Sequence, residues 1–270
     1  MTTHFPDQTG FVPAAEAQMR QAATIVLLRD SRQGPEVFMM ERASRLDFGG
    51  LHVFPGGKVD PHDAVGEMAR HCPGLSDAEA SARLGLAEGG LAYWVAAIRE
   101  CFEEAGLLLA YGPDGAFVRA RNARWAEGLR QLRQAVNEGS RTFLDVCQRF
   151  DMTLAVERVH AFSHWITPEG PPRRYDTRFF VAEAPADQDG LHDDRELIDS
   201  RWIRPAEALA ARERGEIQLI YPTHATLAAL VDLPSAAAVI DLVASGAHRE
   251  RVTPDDLLAR EGLQPPPGGA

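Results

Sequence analysis

Hydrophobic positions recur along this chain in two rhythms, one of strands and one of helices, and the two interleave. Ala22–Arg29 (AATIVLLR) and Glu36–Glu41 (EVFMME) carry the compact apolar runs of strands. A turn through Asp30, Gln33, Gly34 and Pro35 joins them. A short strand over His52–Phe54 follows and ends at Pro55-Gly56-Gly57. Leu91–Ala105 is the clearest helix: Trp94, Val95, Ile98 and Phe102 recur at helical spacing as a buried stripe, and Gly106 stops it. Leu107–Tyr111, Val156–Ile166, Arg178–Ala184 and Ile198–Ile203 read as further strands. Arg121–Glu138, Thr142–Phe150, Pro205–Arg214 (with proline in its first turn) and Thr223–Ser245 read as helices. This alternation predicts an α/β (α+β) class, most economically one mixed sheet between helices.

Three segments depart from the pattern. Residues 1–20 are polar and irregular, and 251–270 end in Gln264–Ala270 (QPPPGGA), the composition of a disordered tail. Between 60 and 90, Asp63, Gly66, Pro73, Gly74, Gly85, Gly89 and Gly90 interrupt weak helical patterns, as in an inserted segment. One domain over 21–250 carrying that insertion is the expected organisation.

Composition narrows the partners. The charge sum of −11 argues against a basic groove for a nucleic-acid polymer, but not against an anionic small molecule beside a local cation. The longest apolar run, Leu91–Ile98, is eight residues, far below the ~20 of a membrane span. Arg20 is the only base in the first twenty residues, so no signal peptide is expected. Three cysteines, Cys72, Cys101 and Cys147, with no C-x-x-C spacing fit a reducing cytoplasm better than a disulfide framework.

The chemistry concentrates on the Leu91–Ala105 helix. Glu100, Glu103 and Glu104 stand at i, i+3 and i+4, which places three carboxylates on one face. Such crowding repels unless a cation neutralises it, and an all-oxygen set suits hard Mg²⁺ or Mn²⁺ rather than zinc. Alone, the pattern is most often a solvated acidic face. The set Arg99, Glu100, Glu103, Glu104 and Gly106, at about one in fifteen per position, arises by chance in 270 positions about four times in ten thousand. Gly56 and Gly57 add a turn where backbone can approach a metal or a phosphate without a Cβ in the way.

Residues 99–107 (Arg-Glu-Cys-Phe-Glu-Glu-Ala-Gly-Leu), with Phe-Pro-Gly-Gly at 54–57, resemble the Nudix box, G-x5-E-x7-R-E-U-x-E-E-x-G-U. The second half matches throughout except for Cys101 in place of an aliphatic residue. The first half departs: Gly57 and Arg99 are 42 apart where the consensus has 14, leaving 28 extra residues. Asp63, Glu67 or Glu88 could supply the supporting glutamate. The long insertion resembles the Nudix branch that includes the peroxisomal coenzyme A diphosphatases, as do Glu36–Gly57 and the stretches around Arg173–Thr177 and Arg201–Ala208. The coenzyme A signature R-[SA]-x3-R-x3-G-x3-F-P-G-G is partly met, by Arg42-Ala43 and Gly50-x3-Phe54, with its middle arginine one position out at Arg45.

The resemblance implies an α/β/α sandwich with a mixed sheet and a loop–helix–loop motif. It implies hydrolysis of a diphosphate in a nucleoside diphosphate linked to another group, coenzyme A or acyl-CoA being favoured. ADP-ribose, NADH or a dinucleotide, or a non-catalytic ligand-binding regulator on the same scaffold, are the alternatives. Mg²⁺ or Mn²⁺ is the implied cofactor, held by Glu100, Glu103, Glu104 and the Gly56 carbonyl, with Arg99 orienting the carboxylates. Glu196, in the acidic run His192–Glu196, is the candidate general base. Arg42, Arg173 and Arg174, with Arg178 nearby, are candidate substrate-binding residues because guanidinium groups clamp phosphates. Residues 60–90 are expected to form a cap or edge over the substrate's non-nucleotide group, with glycines that suit a mobile flap, and to contribute nothing to the metal site. His160, His164 and Cys101 are expected to be structural. The expected partner is a small-molecule diphosphate, with no nucleic-acid polymer and no membrane, and a homodimer stays open.

Overall fold

The computed structural model describes residues 19–42, 50–64, 66–119, 123–167, 173–186, 188, 197–246 and 251–252. The strand β1 (Met19–Ser31) is its axis. A two-residue turn at Arg32 and Gln33 leads into β2 (Gly34–Arg42), which pairs antiparallel with β1 from Ser31↔Gly34 to Leu28↔Val37. β3 (His52–Val53) then pairs with the end of β2, and β4 (Gly56–Lys58) returns to β1 at Ala22–Thr24. Thus β4 and β2 share one edge of β1 in succession, while β8 (Arg174–Glu183) covers the other edge in parallel from Met19 to Leu28.

β7 (His160–Ile166) pairs antiparallel with β8, β9 (Leu197–Ile203) with β2, and β10 (Arg251–Val252) lies parallel to β7. The result is an eight-stranded mixed sheet among the described residues. β5 (Ala110–Tyr111) and β6 (Thr153–Leu154) form a separate two-stranded ladder.

Alternation along β1 divides the core in two. Ala23, Ile25 and Leu27 face one apolar layer; Val26 and Leu28 face the other. The first layer holds α2 (Leu91–Glu100), α1 (Asp77–Leu84) and α4 (Phe143–Phe150). The second holds α5 (Pro205–Glu213), α6 (Tyr221–Leu230) and α7 (Ala236–Ala244). This is the α/β/α sandwich that the sequence led us to expect.

Three local readings are corrected. α2 is buried on all sides, not along one stripe: Leu91–Arg99 are all buried, and Trp94 packs edge-on to Phe180 at 4.8 Å while donating its Nε1–H to the Val159 carbonyl. Thr223–Ser245 is two helices, because Pro234 cannot donate to the helix ladder and Ser235 starts a new one by accepting the Ala238 amide. Leu107–Leu109 are buried connector rather than strand, and pairing is confined to Ala110–Tyr111.

The inserted segment is the larger correction. Met68, Cys72, Leu75 and Ala80 are buried in the same core as α2, and His71 Nδ1 lies 2.7 Å from the Met152 carbonyl. Ser76 caps α1 through a capping box with Glu79. Asp77 then accepts the Gly89 and Leu91 amides, at 3.0 and 2.9 Å, so a residue of the insertion caps the N-terminus of α2. Its apolar side chains are what hold it against α2, instead of leaving it free as a flap. Asp60, at its root, is its sole member among the described residues lining the cleft beside Gly56 and Glu100.

Candidate active site

α2 ends in a wider turn. Cys101–Ala105 form a single π-helical turn, closed by Gly106 in the left-handed region at φ 69°. A wide turn frees carbonyls, and α3 (Ala123–Asn137) satisfies them. Arg133 donates to the Glu103 and Glu104 carbonyls at 2.9 and 2.7 Å, and Asn137 donates to Glu103 at 3.3 Å. The sequence predicted an uninterrupted α-helix, for which no such partners were needed.

Arg99 is the node of the site. Its Nε and Nη2 donate to both oxygens of Asp63 at 2.8 and 3.0 Å. Its Nη1 donates to Glu100 at 2.8 Å and Glu103 at 3.2 Å, and its Nη2 also reaches the Lys58 carbonyl at 2.8 Å. The Arg99 side chain is 11% exposed and that of Asp63 1%. Of the three acids left open by the box's first half, Asp63 therefore makes the contact with the arginine. It belongs to the segment expected to leave the site alone. Glu104 turns the other way and accepts the Gly56 amide at 2.8 Å.

Burial governs the electrostatics. It pushes the Glu100, Glu103 and Asp63 carboxyls above their usual range, opposed by the Arg99 charge. For Arg99, burial works against the charge, but the bonds to Asp63 and the charges of Glu100, Asp63 and Glu103 outweigh it. Burial also raises the Cys101 thiol, as expected of a packed, unreactive cysteine. Among the described residues no three acidic, imidazole or thiol side chains already form a metal cage, since Arg99 and the Gly56 amide hold the carboxylates. The donor set nevertheless fits a hard divalent cation: Asp63, Glu100, Glu103 and Glu104 all offer carboxylate oxygens.

The two glycines are required by contact. A Cβ on Gly57 would fall on the Glu100 carboxylate, and one on Gly56 would lie 2.6 Å from the Ala23 carbonyl oxygen.

The cluster lines one side of an open cleft of about 560 Å³. Thr24, Val53, Phe54, Phe179, Ile220 and Thr223 supply other walls, and Arg20, Arg42, Lys58 and Arg173 supply positive charge. Of the arginines singled out in the sequence, Arg42 and Arg173 line this cleft. Arg174 is not among the lining residues and donates to the Thr167 carbonyl. Arg178 is buried away from the cleft, donating to the Leu84 carbonyl. β8 begins at Arg174, four residues earlier than its apolar pattern suggested, and strand parity then turns Tyr175, Thr177 and Phe179 toward the cleft. Arg20 carried no motif and was missed, and Tyr175 and Thr177, although inside the Arg173–Thr177 stretch, were given no role at the site. His164 pairs with Asp176 at 2.6 Å, and burial lowers the pKa of His160. Glu196 and Arg45 lie outside the described residues.

A sequence-family profile described as the NUDT19 Nudix domain matches residues 19–230. The chain belongs to this Nudix family. The family-matched span holds every residue of the Arg99 node. The Nudix chain is 30% identical to the acyl-coenzyme A diphosphatase NUDT19 of Gallus gallus, over 90% of this chain and 77% of that protein. It is 28% identical to the human protein of the same name, over 86% and 70%. A crystal structure of a NUDIX hydrolase from Alicyclobacillus acidocaldarius superposes with a TM-score of 0.65 at 27% identity, covering 84% of this chain and 97% of that one. Family and relatives make this Nudix chain a pyrophosphohydrolase.

Gly57→Ala in this Nudix chain should displace Glu100 and lower kcat by about a hundredfold, the effect of an ångström-scale misplacement. Kinetics alongside far-ultraviolet circular dichroism would check it. Unchanged kcat in a folded variant would mean that the Glu100 position does not matter.

Proposed function

We propose that this chain hydrolyses the diphosphate of coenzyme A or acyl-coenzyme A. The observation that carries the reading is the Arg99 node, with Asp63, Glu100 and Glu103 on one guanidinium, set beside Gly56–Glu104 in a cleft that Asp60 also lines and to which Arg20, Arg42, Lys58 and Arg173 bring positive charge. The acyl-CoA diphosphatase names of the chicken and human relatives support the substrate class.

Water attacks one phosphorus, a new P–O bond forms, and the bridging P–O bond breaks, leaving a new phosphate monoester on each fragment, so that the nucleoside fragment of coenzyme A departs as adenosine 3′,5′-bisphosphate. Glu100, Glu103 and Glu104, with the Gly56 carbonyl, would hold Mg²⁺ or Mn²⁺. The bound cation supplies charge neutralisation on the diphosphate oxygens. Arg99 orients Glu100 and Glu103, and Asp63 fixes Arg99 from behind. Arg42 and Arg173, on the cleft wall, bind phosphate oxygens through charge-assisted bonds.

The test is incubation of the purified protein and Mg²⁺ with acyl-CoAs, CoA, NADH, ADP-ribose and dinucleoside polyphosphates, with products identified by mass. CoA or acyl-CoA should be cleaved with the highest kcat/KM; cleavage of ADP-ribose or NADH but not CoA would overturn the assignment. Glu196 remains our candidate base. Glu196→Gln should lower kcat about a hundredfold at saturating Mg²⁺ and displace the acidic limb of the pH profile. Activity within threefold of the unmodified protein at every pH would remove it from the mechanism.

A further inference from the structure

Two adjacent parallel strands present a strip of side chains to the cleft. Arg20 lies directly across from Tyr175, Ala22 from Thr177, and Thr24 from Phe179. All six line the cleft. At one end, Thr24 pairs with Gly56, whose amide holds Glu104, so this end adjoins the carboxylates. The other end, at Arg20 and Tyr175, is four residues away, about 13 Å at ~3.3 Å per residue.

The far end pairs a cation with an aromatic ring, on strands about 4.8 Å apart. Tyr175 is anchored there: its amide donates to Thr167 Oγ1 at 3.0 Å, and its carbonyl accepts the Thr167 amide at 2.9 Å. A guanidinium beside an aromatic ring on an anchored stretch of backbone suits a ligand that is anionic on one side and flat on the other. A positive station about 13 Å along the strip from its acidic end has the reach to hold an anionic group other than the diphosphate undergoing hydrolysis.

We propose that Arg20 and Tyr175 read the nucleoside end of the substrate, Tyr175 stacking on the base and Arg20 pairing with a phosphate monoester on the sugar. The proposal rests on the coenzyme A reading, because coenzyme A carries a 3′-phosphate that NADH and ADP-ribose lack. Arg20 is then a specificity residue: it favours substrates with that third phosphate without touching the bond that breaks.

Binding and turnover test it separately. By calorimetry without metal, the unmodified protein should bind adenosine 3′,5′-bisphosphate about tenfold or more tightly than AMP, the difference expected of one charge-assisted pair. Arg20→Gln should bring that ratio near one, Arg20→Lys should restore part of it, and Tyr175→Ala should weaken both ligands together. In turnover, Arg20→Gln should collapse the kcat/KM ratio of CoA to 3′-dephospho-CoA, chiefly through KM. An Arg20→Gln protein that keeps either preference overturns the proposal. If CoA is hydrolysed but the unmodified protein binds both mononucleotides equally, the proposal fails and the coenzyme A reading stands. If the binding preference follows Arg20 but CoA is not hydrolysed, the station stands and the substrate assignment fails.

Discussion

Glu103→Gln should lower kcat by about a thousandfold or more while leaving the melting temperature unchanged or raised. Loss of a metal ligand removes several kcal/mol of transition-state charge stabilisation, at about 1.4 kcal/mol per tenfold. The fold has no reason to object, because burial already holds this carboxyl above its usual range and the neutral amide relieves that strain. Steady-state kinetics over a Mg²⁺ titration, with thermal melts in parallel, would measure both. Full activity of the variant in excess chelator would overturn the metal role of the cluster.

Arg99→Met should destabilise the protein by ~3–5 kcal/mol at neutral pH, the range for stripping one partner from a buried ion pair. It would leave Asp63, Glu100 and Glu103 without the guanidinium that neutralises them. These acids have folded pKa values raised above their unfolded ones, so their protonated forms suit the folded state. Their contribution is present below the ordinary carboxylate range and is lost as pH rises through the raised folded values. With Arg99 gone those values rise further. The deficit should therefore shrink in mild acid and be widest from neutral pH upward. Denaturant melts across pH would show it; a deficit independent of pH would mean that Arg99 acts through packing alone.

Much of this was legible because it is local. Helical spacing gave the carboxylate face from Glu100, Glu103 and Glu104, and β1 and β2 announced themselves as apolar runs around a Gly-Pro turn. What escaped depended on distant partners. The π-turn exists because Arg133 and Asn137, some thirty residues on, satisfy its carbonyls. Asp63 could not be told from Glu67 or Glu88 until a 3₁₀ turn over Pro61–Ala64 brought it to Arg99. The arginines of β8 were misplaced because parity depends on where pairing starts, and the pairing with β1 reaches back to Arg174. The insertion's glycines suggested mobility, whereas its sparse apolar residues, Met68, Cys72 and Leu75, were the informative ones.

The division of the interior into two cores has a consequence for how such an enzyme can change its diet. The carboxylates hang from the layer of α2, while Phe54, Phe179 and Thr223 of the cleft wall belong to the opposite face or to the helices that cover it. Packing changes propagate through touching side chains, and the cores behind the two sets lie on opposite faces of the sheet. Substitutions beneath α5–α7 can reshape the recognition wall by fractions of an ångström without disturbing the Arg99 node. Bond breaking and substrate choice are thus insulated from each other, and a lineage could alter the second while inheriting the first intact.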